Sequence, residues 1–291
     1  MPDAYVEGLF QTQDGPRIEY RVYPAVGEER GDPVLCLHGL TRNLRDFEEL
    51  APRIAALGRR VITTSQRGRG GSDPDPVPER YTPAVYAADM LALLDHLGVQ
   101  RAIYVGTSMG GLMTMITAAI APGRMSAAVL NDVGPEIDPV GLKRIQSYVG
   151  GVSVTGNWRE AAEYCRAING AAFPNEQDEA FWISFARKMF REVAPGQIVL
   201  DYDAAISRNV APPPGDQPPV VDLWPLYDAL KPVPTLLIRG ALTDILASSV
   251  VERMRQRKPD LEVVETPGVG HAPFMTEPAA FAALGAFIEA H

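Results

Sequence analysis

A chain of 291 residues that is 46% hydrophobic carries enough apolar material for one large α/β core or two smaller domains. Its net charge of −9 argues against partners that present a phosphate backbone or an anionic lipid surface. The N-terminal stretch lacks a basic segment followed by an apolar one, and no apolar run approaches the length that spans a bilayer. Cys36 and Cys165 lie far apart in apolar surroundings, so the expectation is a cytoplasmic protein with two reduced packing cysteines and no metal pair.

In chain order, Ala4 to Phe10 and Ile18 to Tyr23 alternate as strands do, joined across the turn signal Asp14-Gly15. Val34 to Leu37 reads as a short buried strand that runs into His38-Gly39-Leu40. Phe47, Leu50, Ile54 and Leu57 fall at helical spacing within Asp46 to Leu57, and Gly58 ends that helix. A strand over Arg60 to Thr64 leads into a glycine-rich turn, Arg67 to Ser72, and a helix over Tyr86 to Leu97 ends at Gly98.

Next comes the stretch AIYVGTSMGGLMTMITA. The β-branched and aromatic residues Ile103, Tyr104 and Val105 meet Gly106-Thr107-Ser108-Met109-Gly110, and small and apolar residues continue at helical spacing to Ala118. A GxSxG pattern between strand and helix is a nucleophile elbow, in which flanking glycines leave room for a serine in a strained backbone position. Met125 to Asn131 is a further strand.

This alternation predicts a parallel sheet covered on both faces, with ligands bound beyond the carboxyl ends of its strands. His38, Arg67, Ser108 and Asp132 each follow a strand directly and are expected at that edge. The rhythm breaks at Gly134-Pro135. Helical segments without strands between them are expected at 141–148, 157–168, 178–192 and 202–207, and a stiff proline-rich return at 211–219. Strands at Thr235 to Ile238 and Leu261 to Val264 and helices at Ser248 to Arg257 and Ala279 to Ala290 complete the pattern. The expected organisation is a core made of residues 1–135 and 226–291 with a helical cap, 136–225, inserted above the sheet edge.

A serine hydroxyl becomes a useful nucleophile when a base takes its proton, and the base needs a carboxylate to hold its tautomer. Of four histidines, His291 is terminal, His96 lies in a helix and His38 follows a strand. His271 lies in a loop between Gly270 and Pro273, where packing gives it little reason to be. Asp244 and Asp132 both follow strands, and either can reach a histidine at the sheet edge. Asp244 is favoured as the acid because the order Ser108, Asp244, His271 is that of nucleophile-elbow enzymes, with Asp132 as the alternative.

Taken together, GTSMGG at 106–111, LHGL at 37–40, QRGRGGSD at 66–73, RGALTD at 239–244 and GVGHAP at 268–273 resemble the α/β-hydrolase superfamily, in its cap-bearing esterase-like branch. The resemblance extends over essentially the whole core and does not include the cap. It implies an eight-stranded, mostly parallel sheet, Ser108 as nucleophile, His271 as base and Asp244 as acid. It also implies an oxyanion hole formed by the backbone N–H groups of Leu40 and Met109. One position departs from the pattern: Ser65 stands where relatives often carry Asp, which bears on the ion pairing of that loop and not on the triad. Arg67 and His38 read as loop-bracing residues.

The expected activity is hydrolysis of a carboxylic ester with a small to medium, apolar and uncharged acyl group, through an acyl-enzyme and without metal or organic cofactor. Enol-lactone hydrolases, carbon–carbon bond hydrolases of diketones and perhydrolases share such motifs. A hydrolase-fold ligand receptor is the alternative of another class. The expected partner is a small-molecule substrate, not nucleic acid or membrane, and a homodimer is compatible with the sequence. The aromatics Trp158, Phe173, Phe181, Trp182, Phe185, Phe190 and Trp224 are expected mainly to pack helices, with some facing the cleft.

Overall fold

The computed structural model describes residues 5–151, 154–210 and 222–291, so the proline run at 211–219 lies outside the described residues. The core strands are β1 (Val6–Gln11), β2 (Arg17–Tyr23), β3 (Val34–Leu37), β4 (Val61–Thr64), β5 (Ala102–Thr107) and β6 (Met125–Asn131). Between β6 and the last two core strands come β7 (Val154–Thr155), β8 (Phe190–Ala194) and β9 (Gln197–Leu200), and the core resumes with β10 (Thr235–Gly240) and β11 (Glu262–Thr266). The helices are α1 (Leu50–Ala55), α2 (Pro83–His96), α3 (Met109–Ile120), α4 (Pro139–Tyr148), α5 (Trp158–Asn169), α6 (Glu179–Met189), α7 (Trp224–Asp228), α8 (Ser248–Arg257) and α9 (Pro278–Ala290).

Eight strands form one sheet in the order β1-β2-β4-β3-β5-β6-β10-β11. β2 is antiparallel to both of its neighbours, and every other pair is parallel. Alternation along each central strand decides which helices it meets. Leu35, Leu37, Tyr104, Leu130 and Leu237 pack on one face with α2, α3 and α8. Val34, Cys36, Val105, Val129 and Ile238 pack on the other with α1 and α9. Both faces are therefore dry, and each fully buried aliphatic side chain contributes about 1.5–3 kcal/mol. Cys36 and Cys165 are free and buried.

Some expected elements are shorter than their sequence pattern. The stretch from Asp46 to Leu57 divides into a 3-10 turn, Leu44–Phe47, and α1. Pro52 has no N–H to give a preceding carbonyl, so the α-helix begins only two residues before it. α2 begins earlier than expected, because Thr82 caps it by accepting from the Val85 amide and Pro83 occupies its first turn.

The region after β6 differs more. It was expected to contain helices alone, yet β7, β9 and β8 form a separate three-stranded antiparallel sheet. The helix expected over 178–192 ends at Met189, and the chain continues as β8. Pro195-Gly196 explains the change: the two residues turn the chain between Ala194 and its partner Gln197, and Gly196 adopts φ +71°. This region has its own apolar cluster, which includes Trp182, Phe185, Met189 and Phe190. It is stitched to the glycine-rich turn of the core by an Arg69–Tyr202 bridge, by the Gly70 amide donating to the Asp201 carbonyl at 3.2 Å and by the Asp203 amide donating to the Gly68 carbonyl at 2.7 Å.

Candidate active site

At the carboxyl end of β5 the chain turns sharply into α3 through Ser108, whose φ of 52° and ψ of −113° are unusual for a residue with a side chain. Such a conformation costs on the order of 1–3 kcal/mol and persists only where the surroundings impose it. Here they do. The Ser108 amide donates to the Asn131 carbonyl at 3.0 Å, and Asn131 Nδ2 donates to Thr107 Oγ1 at 3.0 Å and to the Pro273 carbonyl at 2.7 Å. A Cβ at Gly106 would lie 2.4 Å from the Gly110 carbonyl oxygen, and one at Gly110 would lie 2.2 Å from that of Leu37. Both glycines are thus required by the close approach of backbones.

The neighbouring strand β6 ends in a second residue of this kind, Asp132, with φ 56°. Aspartate tolerates the left-handed region better than most residues. Its amide donates to the Ile238 carbonyl at 2.7 Å, which ties it to β10. The carboxylate is fully buried and receives the Gly240 amide at 3.0 Å, the Thr243 hydroxyl at 2.6 Å and His271 Nδ1 at 2.8 Å. A carboxylate only accepts, so Nδ1 carries the ring proton and Nε2 is left as an acceptor. Ser108 Oγ lies 2.9 Å from His271 Nε2. The loop between β11 and α9 that presents His271 is held by the Gly270 amide donating to the Ala172 carbonyl at 2.7 Å and the Leu242 amide donating to that of Val269 at 2.9 Å.

The structure thus brings Ser108 and His271 together and places Asp132, the alternative carboxylate, against His271 instead of Asp244. Asp244 makes no hydrogen bond to His271. Its oxygens are taken by Arg144, from Nε at 2.5 Å and Nη2 at 2.8 Å, and this pairing holds its carboxyl below the usual range. The 239–244 loop still serves the site, through the Gly240 amide and Thr243 hydroxyl that fix Asp132.

Leu40 and Met109, the expected oxyanion-hole residues, flank the serine. Met109 is the first residue of α3, where an amide has no intrahelical acceptor, and the Leu40 amide has no partner among the described residues. Two buried side chains brace the Leu40 turn. His38 Nε2 accepts from the Gln66 amide at 2.9 Å, so its Nδ1 donates to the Gly39 carbonyl at 2.6 Å. That carbonyl belongs to the same peptide group as the Leu40 N–H, and loading one end of a peptide strengthens the donor at the other. Arg69 is 1% exposed and has no ion-pair partner among the described residues. Its Nε donates to the Leu40 carbonyl at 3.0 Å, and its Nη1 donates to the Arg67 carbonyl and the Tyr86 hydroxyl, both at 2.8 Å. Its Nη2 lies 3.7 Å from Met109 Sδ. Sequence reading passed over Arg69, although its place inside the glycine-rich turn at the sheet edge was the signal for it.

Arg67 braces its loop as expected, with its guanidinium among Asp14, Asp75 and Asp89 at 2.5–2.7 Å. Ser65, at the departing position, instead donates to Glu19 at 2.7 Å.

Burial, reinforced by the positive charge of Arg69, pushes the His38 pKa down from 6.5 to about 3. Unfolded chains take up this proton near pH 6.5 and the native state does not until about pH 3. The stabilisation that a neutral His38 provides is therefore complete above pH 6.5 and is lost as pH falls toward 3. Urea unfolding between pH 7 and 4 is expected to show a stability slope that His38→Asn reduces by up to about 1.4 kcal/mol per pH unit. An unchanged slope would mean that His38 is charged in the native state.

In front of Ser108 lies a cavity of about 100 Å³. That is room for several waters, or a short acyl group. Ile145, Phe173, Phe185 and Met189 line it together with Leu40 and His271. Two of the seven aromatics singled out in the sequence thus face the cavity. Trp182 and Phe190 are buried among packed helices and strands, and Trp158 and Trp224 lie against arginines. A second cavity of about 230 Å³ lies beyond Phe173, Phe185 and Phe274.

An eight-stranded sheet of this order, with a serine elbow and a histidine loop at its carboxyl edge, defines a class, and the match of residues 32–278 to the family model of the α/β hydrolase fold places the chain in it. The chain belongs to the α/β-hydrolase fold family and is a hydrolase. It is similar to an α/β hydrolase of Novosphingobium aromaticivorans whose crystal structure superposes with a TM-score of 0.89, at 41% identity over 98% of both chains. A 3-hydroxybutyrate-oligomer hydrolase of Cupriavidus necator is 32% identical over 87% of this chain and 89% of its own length. A 2-(acetamidomethylene)succinate hydrolase of Mesorhizobium japonicum is 30% identical over 83% and 82%.

Proposed function

We propose that the chain is a serine hydrolase of carboxylic esters in which Ser108 attacks, His271 moves the proton and Asp132 holds His271. The observation that carries this reading is the continuous relay from Asp132 to His271 Nδ1 at 2.8 Å and from His271 Nε2 to Ser108 Oγ at 2.9 Å. His271 takes the serine proton as Oγ bonds to the substrate carbonyl carbon, and the N–H groups of Leu40 and Met109 receive the oxyanion. Each such donor supplies about 3 kcal/mol of transition-state stabilisation. The imidazolium then protonates the departing alcohol, and water enters by the same path to release the acid. The inserted segment serves as a cap, since Ile145, Phe173, Phe185 and Met189 close the cavity above the serine.

The acyl group is small. The cavity volume supports this, and so does the likeness to a hydrolase of 3-hydroxybutyrate oligomers, because oligomers of a hydroxy acid are chains of short esters. The test is a series of p-nitrophenyl esters from acetate to decanoate beside a lactone, a diketone and a hydroxy-acid dimer, followed by labelling with a fluorophosphonate. The expected result is turnover that falls as the acyl chain outgrows the cavity and a covalent adduct on Ser108. A diketone cleaved in preference to every ester, or an adduct on another residue, would overturn the reading. A slowly formed Ser108 adduct with no steady-state turnover would mark a receptor.

A further inference from the structure

The cavity in front of Ser108 mixes apolar residues with Thr41, Asp46, Tyr148 and Asn169, and Arg42 also lines it. Arg42 is the only arginine or lysine that does so among the described residues. Its stem runs beside the nucleophile: a Cβ built on Gly39 would be 3.6 Å from Arg42 Cγ and 3.8 Å from Ser108 Cβ. The guanidinium lies 4.4 Å from the centre of the Phe185 ring, and one edge is pinned by Asp46, with Nε at 2.9 Å from Oδ2 and Nη2 at 2.5 Å from Oδ1. The far edge is different. Nη1 has no hydrogen-bond partner among the described residues and is not closed off from solvent. A donor that belongs to a cavity-lining side chain, held on one side by a carboxylate and an aromatic face and without a protein acceptor on the other, is already organised for an acceptor of fixed position.

We infer that Arg42 is a specificity-determining residue that receives, through its open Nη1 edge, the free carboxylate of an ester of a short hydroxy acid, with its ester carbonyl at Ser108. The inference rests on the ester-hydrolase reading above and departs from the expectation of an uncharged substrate. Asp46 sets the strength of the interaction. With its charge beside Arg42 the pair is neutral as a whole, so it accepts one carboxylate by directed hydrogen bonds and gives little attraction to a dianion. Arg144 makes no such site. It meets Asp244 in the same two-bond manner but does not reach the cavity wall.

The two members of the pair therefore have opposite expected effects. The probes are a linear dimer of a short β-hydroxy acid with a free carboxylate and the methyl ester of the same dimer, with p-nitrophenyl acetate as a gauge of the underlying chemistry. The wild-type chain is expected to favour the acid over its methyl ester by about tenfold or more in kcat/KM, as a charge-assisted hydrogen bond provides. Arg42→Gln brings that ratio down toward one, mainly through KM. Asp46→Asn removes the competing charge and raises the ratio above the wild-type value. A structural role for the pair would lower both rates together in both variants, and a ratio that moves in neither variant, or in the same direction in both, overturns the inference. Ser108-dependent hydrolysis of p-nitrophenyl acetate separates this outcome from failure of the ester-hydrolase reading. If that hydrolysis is absent as well, it is the reading that has failed.

Discussion

Asp132→Asn is expected to lower kcat by about ten-thousandfold, because an amide in that position offers an N–H where His271 Nδ1 needs an acceptor and the ring takes the wrong tautomer. The structure makes the substitution selective. The Asp132 side chain is fully buried and already receives a backbone amide and a hydroxyl, so the isosteric amide keeps its place while its hydrogen-bonding sense is reversed. Ser108→Ala is expected to lose at least as much, and the double variant little more, because groups that act as a unit do not add. Asp244→Asn gives the contrast. It loosens a partly exposed pair with Arg144 and is expected to cost no more than about tenfold. Steady-state kinetics on one p-nitrophenyl ester, with thermal unfolding as a folding control, ranks the four. A larger loss at Asp244 than at Asp132 would return the acid's role to the 239–244 loop.

Arg67→Met is expected to be the most destabilising of the single changes considered, by about 3–5 kcal/mol and about 10 °C in Tm. Arg67 is 2% exposed, and two of its three carboxylate partners, Asp75 and Asp89, are buried with it. Asp89 illustrates the balance: burial already pushes its pKa up, and Arg67 opposes that shift. Without the guanidinium, the folded-state pKa of Asp89 rises further above its unfolded value, so the folded variant binds more protons than the unfolded chain. Stability of the variant then falls as pH rises through that raised pKa, and the deficit against wild type is largest above it. Lowering the pH from 8 toward 5 should narrow the gap in urea midpoints. A gap that is constant with pH would mean that the loss comes from packing of the arginine stem.

Ser108 and His271 were legible because their surroundings are chemical punctuation: glycines two residues either side of a serine after an apolar strand, and a histidine in a glycine- and proline-bounded loop where no core needs it. The carboxylate that meets His271 is not legible from chain order. Chain order fails to discriminate, since Asp132 also lies between Ser108 and His271. The better signal was local, an Asn131-Asp132 pair ending a strand, where a residue tolerant of positive φ can turn its side chain along the sheet edge. Asp244 pairs instead with Arg144 of α4, and only tertiary packing brings the two together.

The central strands were plain from their apolar runs, which the sheet buries on both faces. The inserted strands were not, because β8 and β9 alternate weakly and one face of their small sheet packs on helices. The Pro195-Gly196 turn was their one clear mark. Arg42 and Arg69 were overlooked for a related reason. An arginine in a loop reads as surface charge, and its burial depends on residues far away in the chain.

The position of Asp132 has a consequence for how this scaffold tolerates change. The covalent path from Ser108 to Asp132 runs through α3, the 3-10 turn Pro122–Arg124 and β6, so the proposed nucleophile and acid sit on a single strand–helix–strand crossover. Every element of the insertion follows that crossover. Its length and small sheet can change without lengthening that path, provided that β10 still returns Gly240 and Thr243 to Asp132 and that a carbonyl still stands where Ala172 receives the Gly270 amide of the loop bearing His271.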